Sequence, residues 1–132
     1  LKTNDITYDS PTWLRQDNLQ ILLIKRSKDL LNHLSQAREA LQDPDSNASR
    51  QPAYAKNSLR SKDELYFVSY AIGTDLACPL TLEENQTLKE TCSLARYDFA
   101  GRAFSGNNQF HNLTIPEYNF NDDFSRLTIS IY

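Results

Sequence analysis

Two cysteines, Cys78 and Cys92, have the most reactive side chains of this chain. They stand on either side of a polar segment, residues 79–91, that is typical of an exposed loop. A disulfide between them would close a loop of about 15 residues and stabilise the fold by roughly 3 kcal/mol, by constraining the unfolded chain. Disulfides persist in oxidising compartments, so the pair predicts a periplasmic, cell-surface or secreted protein. The alternative is two buried free thiols in a cytosolic protein.

No other group of side chains predicts catalysis. Histidine is the side chain that titrates near neutral pH. His33 falls in the predicted helix, where we expect a surface position, and His111 falls in a predicted strand, where we expect a role on the sheet face. The cysteine spacing fits no zinc pattern, and the chain has neither a nucleophile elbow nor a glycine-rich phosphate loop. We therefore expect no catalytic residues, no metal, no cofactor and no enzyme activity.

One oxygen-rich segment is similar to the start of a calcium-binding loop, with the pattern Asp43-x-Asp45-x-Asn47-x-Ser49. The match then fails, because Ala48 replaces the turn glycine and Tyr54 stands where a bidentate Glu should close the site. Ordinary turn chemistry of Asp, Asn and Ser explains the segment without an ion.

Three N-glycosylation sequons occur, at Asn47, Asn85 and Asn112. They are possible glycosylation sites only if the protein is secreted by a eukaryote. Asn, Ser and Thr are common enough in this sequence to produce such motifs by chance.

The composition predicts one folded domain over residues 1–132, since 39% of the residues are hydrophobic. Residues 1–62 have a net charge of +3 and residues 63–132 of −6. No concentrated basic stripe accompanies the aromatic half, so nucleic acid is not an expected partner.

The sequence contains no run of about 18 apolar residues, so it predicts no membrane span within these residues. The chain has no Met, and we expect that an N-terminal anchor or targeting segment was removed from it.

A single helix over residues 10–42 is the longest predicted element. Ser10-Pro11 is typical of a helix start and Asp43-Pro44 of a helix end. A polar connector over residues 43–62 follows, and then a sheet region over residues 63–132. Strands are predicted at 64–72, 92–99 and 110–115, and after them in a final run in which Leu127, Ile129 and Ile131 alternate with polar residues. The predicted fold class is α+β, a long N-terminal helix packed on an antiparallel sheet of about four strands, with one disulfide.

The sequence of residues 29–41, DLLNHLSQAREAL, resembles the helix of minor type IV pilins and type II secretion pseudopilins. In that family such a helix packs on a small antiparallel sheet, and a disulfide is common in the sheet region. The resemblance implies a periplasmic globular head that lost its hydrophobic anchor and takes part in a filament or its tip complex. Family members act by assembly, so no catalytic residues are implied. Lys25, Lys28, Arg38 and Glu39 would then contact neighbouring subunits.

The sequence therefore favours a non-enzymatic extracytoplasmic assembly or interaction domain, in its sharpest form a minor pilin or pseudopilin head. Its partners would be proteins of an envelope or filament assembly, and the membrane would be reached only through the removed N-terminal anchor. Two alternatives stay open. One is the ligand-sensing ectodomain of a membrane receptor, and the other is the interaction domain of a secreted glycoprotein.

Overall fold

The computed structural model describes residues 3, 6–37, 39–105 and 111–130. Within these residues the chain forms eight short strands and one α-helix, with a 3₁₀ turn at Ala53–Ala55. The elements are β1 Thr12–Gln16, β2 Leu19–Lys25, α1 Lys28–Gln36, β3 Tyr66–Tyr70, β4 Leu80–Glu83, β5 Thr87–Glu90, β6 Arg96–Tyr97, β7 Glu117–Phe120 and β8 Leu127–Ser130.

Residues 12–25 form a β-hairpin, so the predicted helix over 10–42 is wrong in its first half. β1 and β2 pair antiparallel with Gln16 opposite Leu19, which leaves a two-residue turn. Asp17 in that turn has a φ of 55°, as tight hairpin turns require. The run Ile21–Ile24 is fully buried in the hydrophobic core, and β2 is the central strand of its sheet, between β1 and β3. Periodicity cannot distinguish such a strand, apolar on both faces, from a buried helix.

The helix that does form, α1, is nine residues long. Ser27 caps its start by accepting a hydrogen bond from the N–H of Leu30 at 3.2 Å. Leu30 and Leu34, four residues apart, bury their side chains in the core. The helix ends at Gln36, well before the Asp43-Pro44 stop predicted for it. Arg38, predicted to contact other subunits, lies outside the described residues.

Three small antiparallel sheets replace the predicted sheet of about four strands. They have the orders β1-β2-β3, β4-β5-β6 and β7-β8. The α+β prediction is therefore wrong, and the described part of the chain is mostly β-structure. The strand predicted at 92–99 is reduced to β6, and residues 111–115 form no strand. In β8, Leu127 and Ile129 are buried as predicted, whereas Ile131 lies outside the described residues.

One hydrophobic core joins the three sheets and α1. Among its fully buried side chains are those of Phe67 from β3, Leu88 from β5 and Tyr97 from β6. Gly101 has a φ of +67°, and a Cβ at this position would lie 2.7 Å from the Cζ atom of Phe67. Only glycine fits this turn without strain.

Buried arginines attach the polar connector to this core. Arg60 donates hydrogen bonds to Ser46 Oγ at 2.7 Å, Gln51 Oε1 at 3.0 Å and the carbonyl oxygen of Gly101 at 3.1 Å. Burial lowers the pKa of Arg60 to about 9 and that of Arg26 to about 10, so both guanidinium groups stay charged at neutral pH.

In the described part of the chain, no helix is both long enough and apolar enough to cross a membrane.

Candidate functional site

The predicted disulfide between Cys78 and Cys92 is confirmed, with Cα atoms 5.9 Å apart. It joins two loops, residues 73–78 and 91–95, which we call the loop pair. The first loop connects β3 to β4, and the second connects β5 to β6.

Backbone hydrogen bonds hold each loop in a tight turn. The N–H of Gly73 donates to the carbonyl oxygen of Cys78 at 2.9 Å and closes the first loop. The N–H of Glu90 donates to the carbonyl oxygen of Ala95 at 3.0 Å and closes the second. A further bond, from the N–H of Thr91 to the carbonyl oxygen of Pro79 at 2.9 Å, connects the base of one loop to the other. The loop pair is therefore rigidly built.

The carboxylate of Glu90, at the end of β5, is fully buried between the two loops. Its Oε2 atom accepts the N–H of Cys78 at 2.8 Å and the N–H of Leu76 at 3.1 Å. Its Oε1 atom accepts the hydroxyl of Ser93 at 2.7 Å. The carboxylate thus connects both loops through hydrogen bonds as the disulfide does through a covalent bond.

These hydrogen bonds favour the ionised form of Glu90. Burial by itself would raise the pKa of this carboxyl. The donors Cys78 N–H, Ser93 Oγ–H and Leu76 N–H outweigh burial, so the pKa lies below its ordinary value. Glu90 is consequently an anion held in the interior at neutral pH.

A second hydrogen-bonded group lies beside the first loop. Tyr97, which is buried, accepts a hydrogen bond from the N–H of Thr74 at 2.8 Å on its hydroxyl oxygen. The hydroxyl of Thr74 donates to the carbonyl oxygen of His111. Desolvation raises the pKa of Tyr97, which keeps the phenol neutral. Arg50, Asp75 and the exposed His111 line an open groove of about 600 Å³ at this point.

Only part of a metal site is present in the loop pair. The Sγ atoms of Cys78 and Cys92 and a carboxylate oxygen of Glu90 lie within 4.8 Å of one another. The ligand form of cysteine is the thiolate, and both sulfurs are instead bonded to each other. Of the two histidines, His33 is exposed on α1 and His111 lies beside the groove, and within the described residues neither belongs to a cluster of potential metal ligands.

The oxygen-rich segment that starts at Asp43 forms a turn. The carboxylate of Asp43 accepts the N–H groups of Asn47 and Ala48, each at 2.9 Å. Its ligand atoms therefore serve the backbone of the same segment, as the turn chemistry of Asp predicts.

The three sequons differ in accessibility. The side chains of Asn47 and Asn85 are exposed. Asn112 is buried, donates to the carbonyl oxygen of Asp43 at 2.8 Å and accepts the N–H of Ala103 at 2.7 Å. Glycosylation at the three sequons stays a prediction, although the Asn112 side chain is already buried and hydrogen-bonded in the folded chain.

Two apolar side chains project from the loop pair into solvent. Leu76 in the first loop is 60% exposed, and Leu94 in the second is 78% exposed. Exposed leucines are ordinary one by one, but here both belong to the disulfide-linked loops. We refer to these two exposed leucines, Leu76 and Leu94, together as the apolar tip.

Glu90 was not singled out from the sequence, although a signal for it exists. It follows Leu88 by two residues in β5, so both side chains point to the same face of the strand. Leu88 is a core residue, and a carboxylate in register with it must be buried and hydrogen-bonded. A charged residue at a core-facing strand position is therefore the pattern that would have identified it.

No family model matches the chain. Over 114 residues it is 30% identical to the ubiquinol-cytochrome c reductase iron-sulfur subunit of Allochromatium vinosum. The alignment covers 78% of this chain and 55% of that protein, so the chain spans about half the length of the curated relative it matches.

This similarity and the β-rich fold overturn the predicted pilin-like function. The described residues contain no long stalk-like helix, and the relative is a reductase subunit and not a filament protein. The assignment to a type IV pilus is therefore wrong, and the receptor and glycoprotein alternatives receive no support from this relative. The disulfide agrees with the coarser prediction of an extracytoplasmic location.

Proposed function

We propose that this chain is a Rieske-like domain that belongs to a membrane-associated complex of the ubiquinol–cytochrome c reductase type. The observation that carries this proposal is the similarity to the iron-sulfur subunit over 78% of the chain. The loop pair supports it, because a disulfide between two loops is a rigid means of presenting a surface to a partner. In this proposal the partners are the other protein subunits, and the domain lies on the extracytoplasmic side.

The ligands of a Rieske [2Fe–2S] cluster are two cysteines and two histidines. Both cysteines of this chain are in the disulfide, and residues 73–78 and 91–95 include no histidine. The residues present therefore do not fit such a cluster. We accordingly propose a place for the chain in the complex, and assign it neither a catalytic role nor that of the electron carrier.

The apolar tip is the part of the domain best suited to contact a partner subunit. Leu76 and Leu94 are large, exposed apolar side chains of the loop pair, and the burial of such groups by a partner is favourable. Because the disulfide and Glu90 fix both loops, little conformational entropy would be lost on binding.

Native separation of detergent-solubilised membranes from the source organism tests the proposal. We expect the full-length protein to comigrate with the fractions that reduce cytochrome c in a ubiquinol-dependent reaction, and to be recovered with the same subunits by chemical cross-linking. Migration of the protein alone, or with fractions that lack this activity, would refute the proposal.

A further inference from the structure

We infer that the Glu90 carboxylate permanently fills the anion position of the loop pair, so that this domain folds and works without an iron–sulfur cluster. The identity of the missing cofactor rests on the proposed function. The role of Glu90 rests on the geometry of the loop pair alone.

The loop pair has the features of an anion site. The first loop aims the N–H groups of Leu76 and Cys78 at one oxygen, and Ala77 between them has a φ of 60°. Concave arrays of backbone N–H groups of this kind bind phosphates and iron–sulfur clusters. Here both N–H groups donate to Glu90, and the hydroxyl of Ser93 completes the set from the other loop. The donors of the site are therefore satisfied by the chain itself.

The space between the loops is also occupied. A Cβ atom at Gly73 would lie 2.4 Å from Cδ of Glu90 and 2.6 Å from its Oε2. Contacts this short mean that the carboxylate fills the volume beside the first loop. The Cys78–Cys92 bond joins the loops at the same place, because its sulfurs lie within 4.8 Å of a Glu90 oxygen. A cluster would have to displace the carboxylate and open the disulfide.

The negative charge of Glu90 also disfavours a second anion between the loops. An anion introduced next to ionised Glu90 would face a like charge at short distance in a buried site, which is unfavourable. The groups that donate to the Glu90 carboxylate, which are the N–H groups of Leu76 and Cys78 and the hydroxyl of Ser93, are neutral and cannot offset a second negative charge. The site is thus built for one carboxylate.

Cofactor loading of the full-length protein is the first test. One sample is expressed in a host with active cluster assembly. A second sample is incubated with Fe²⁺ and sulfide, once with the disulfide intact and once after the disulfide has been reduced. Bound iron, acid-labile sulfide and visible absorption are compared with those of a Cys78→Ala/Cys92→Ala double variant. We expect neither the wild type nor the double variant to bind iron and sulfide. Iron and sulfide bound in equal amounts by the wild type and lost in the double variant would overturn the inference.

Stability and amide protection are the second test. Glu90→Gln should raise the unfolding equilibrium constant at least about tenfold at neutral pH, because hydrogen bonds to a charged group contribute more than those to a neutral one. Glu84→Gln, at an exposed carboxylate of the adjacent turn, is the matched control and should leave the unfolding equilibrium constant nearly unchanged.

Hydrogen exchange is measured on the wild-type protein alone. The amides of Leu76 and Cys78 should be protected, and exchange at the rate of an open loop would contradict the role of Glu90.

The two proposals fail in different measurements. A protein that does not comigrate with the reductase but shows protected amides and no cluster refutes only the proposed function. A protein that comigrates but binds iron and sulfide through its cysteines refutes only this inference.

Discussion

The carboxylate of Glu90 lies against the Cα atom of Gly73, so closely that a Cβ atom there would be 2.4 Å from Glu90 Cδ. This contact explains why the first residue of the loop pair is a glycine, although its φ is not in the left-handed region that favours glycine. The side chain at position 73 is excluded by a neighbour and not by backbone conformation. The position of the Glu90 side chain therefore requires a glycine at position 73.

Replacement of Gly73 by Ala should destabilise the protein by about 1–3 kcal/mol, the usual cost of an overpacked site. The effect should be smaller in a Glu90→Ala background, because the smaller side chain leaves room for the methyl group. Chemical denaturation of the four proteins of this double-mutant cycle measures the coupling. Equal costs of Gly73→Ala in both backgrounds would contradict the contact.

The stability difference between wild type and Glu90→Gln should depend on pH. The pKa of Glu90 is lowered in the folded protein, so its contribution is complete above the ordinary pKa of an unfolded Glu, about 4.3, and is lost as pH falls through the lower folded value. The difference in unfolding free energy should therefore be constant near neutral pH and shrink in acid. Denaturation curves at several pH values test this, and a difference that grows in acid would have the wrong sign.

Breaking the buried ion pair between Arg102 and Asp98 should be strongly destabilising. The Nε–Oδ2 distance is 2.8 Å, and the Arg102 side chain is fully buried. Asp98→Asn should cost about 3–5 kcal/mol, because it leaves a buried cation without its partner. Glu83→Gln removes the partly exposed pair with Arg96 and should cost less than about 1 kcal/mol. Thermal unfolding of both variants provides the comparison, and similar losses would contradict the difference in burial.

Removal of the disulfide should destabilise the fold without unfolding it. The cysteines are 14 residues apart in sequence, and closing a loop of this size is worth about 3 kcal/mol in the chain-entropy model. The Cys78→Ala/Cys92→Ala double variant should keep the far-UV circular dichroism of the wild type and unfold at lower denaturant concentration. Mass spectrometry of native protein should find both thiols oxidised, and free thiols in native material would contradict the extracytoplasmic location.

The apolar tip should matter for assembly and not for stability. Leu94→Ser should reduce comigration with the reductase fractions while the denaturation midpoint stays unchanged, since Leu94 is 78% exposed. Leu82→Ser is the control, because Leu82 is 49% exposed on β4, outside the loop pair. Equal behaviour of the two variants in the comigration assay would argue against a contact through the tip.

Local sequence signals determined a few features of this protein correctly. The disulfide could be predicted because Cys78 and Cys92 are close in sequence and separated by a polar segment. The last strand could be predicted because Leu127 and Ile129 alternate with polar residues and one face of β8 is buried. These features depend on neighbours along the chain, and the sequence contains those directly.

Other features were decided only by tertiary structure. The run Ile21–Ile24 is a strand because β1 and β3 cover both of its edges, and the same apolar residues would suit a buried helix. Glu90 is buried as an anion because the N–H groups of Leu76 and Cys78 reach it from a loop 12 or more residues away. The alternation in β5 places Glu90 on the core-facing side, but no local pattern specifies donors from so distant a loop, since their position depends on how three sheets pack around one core.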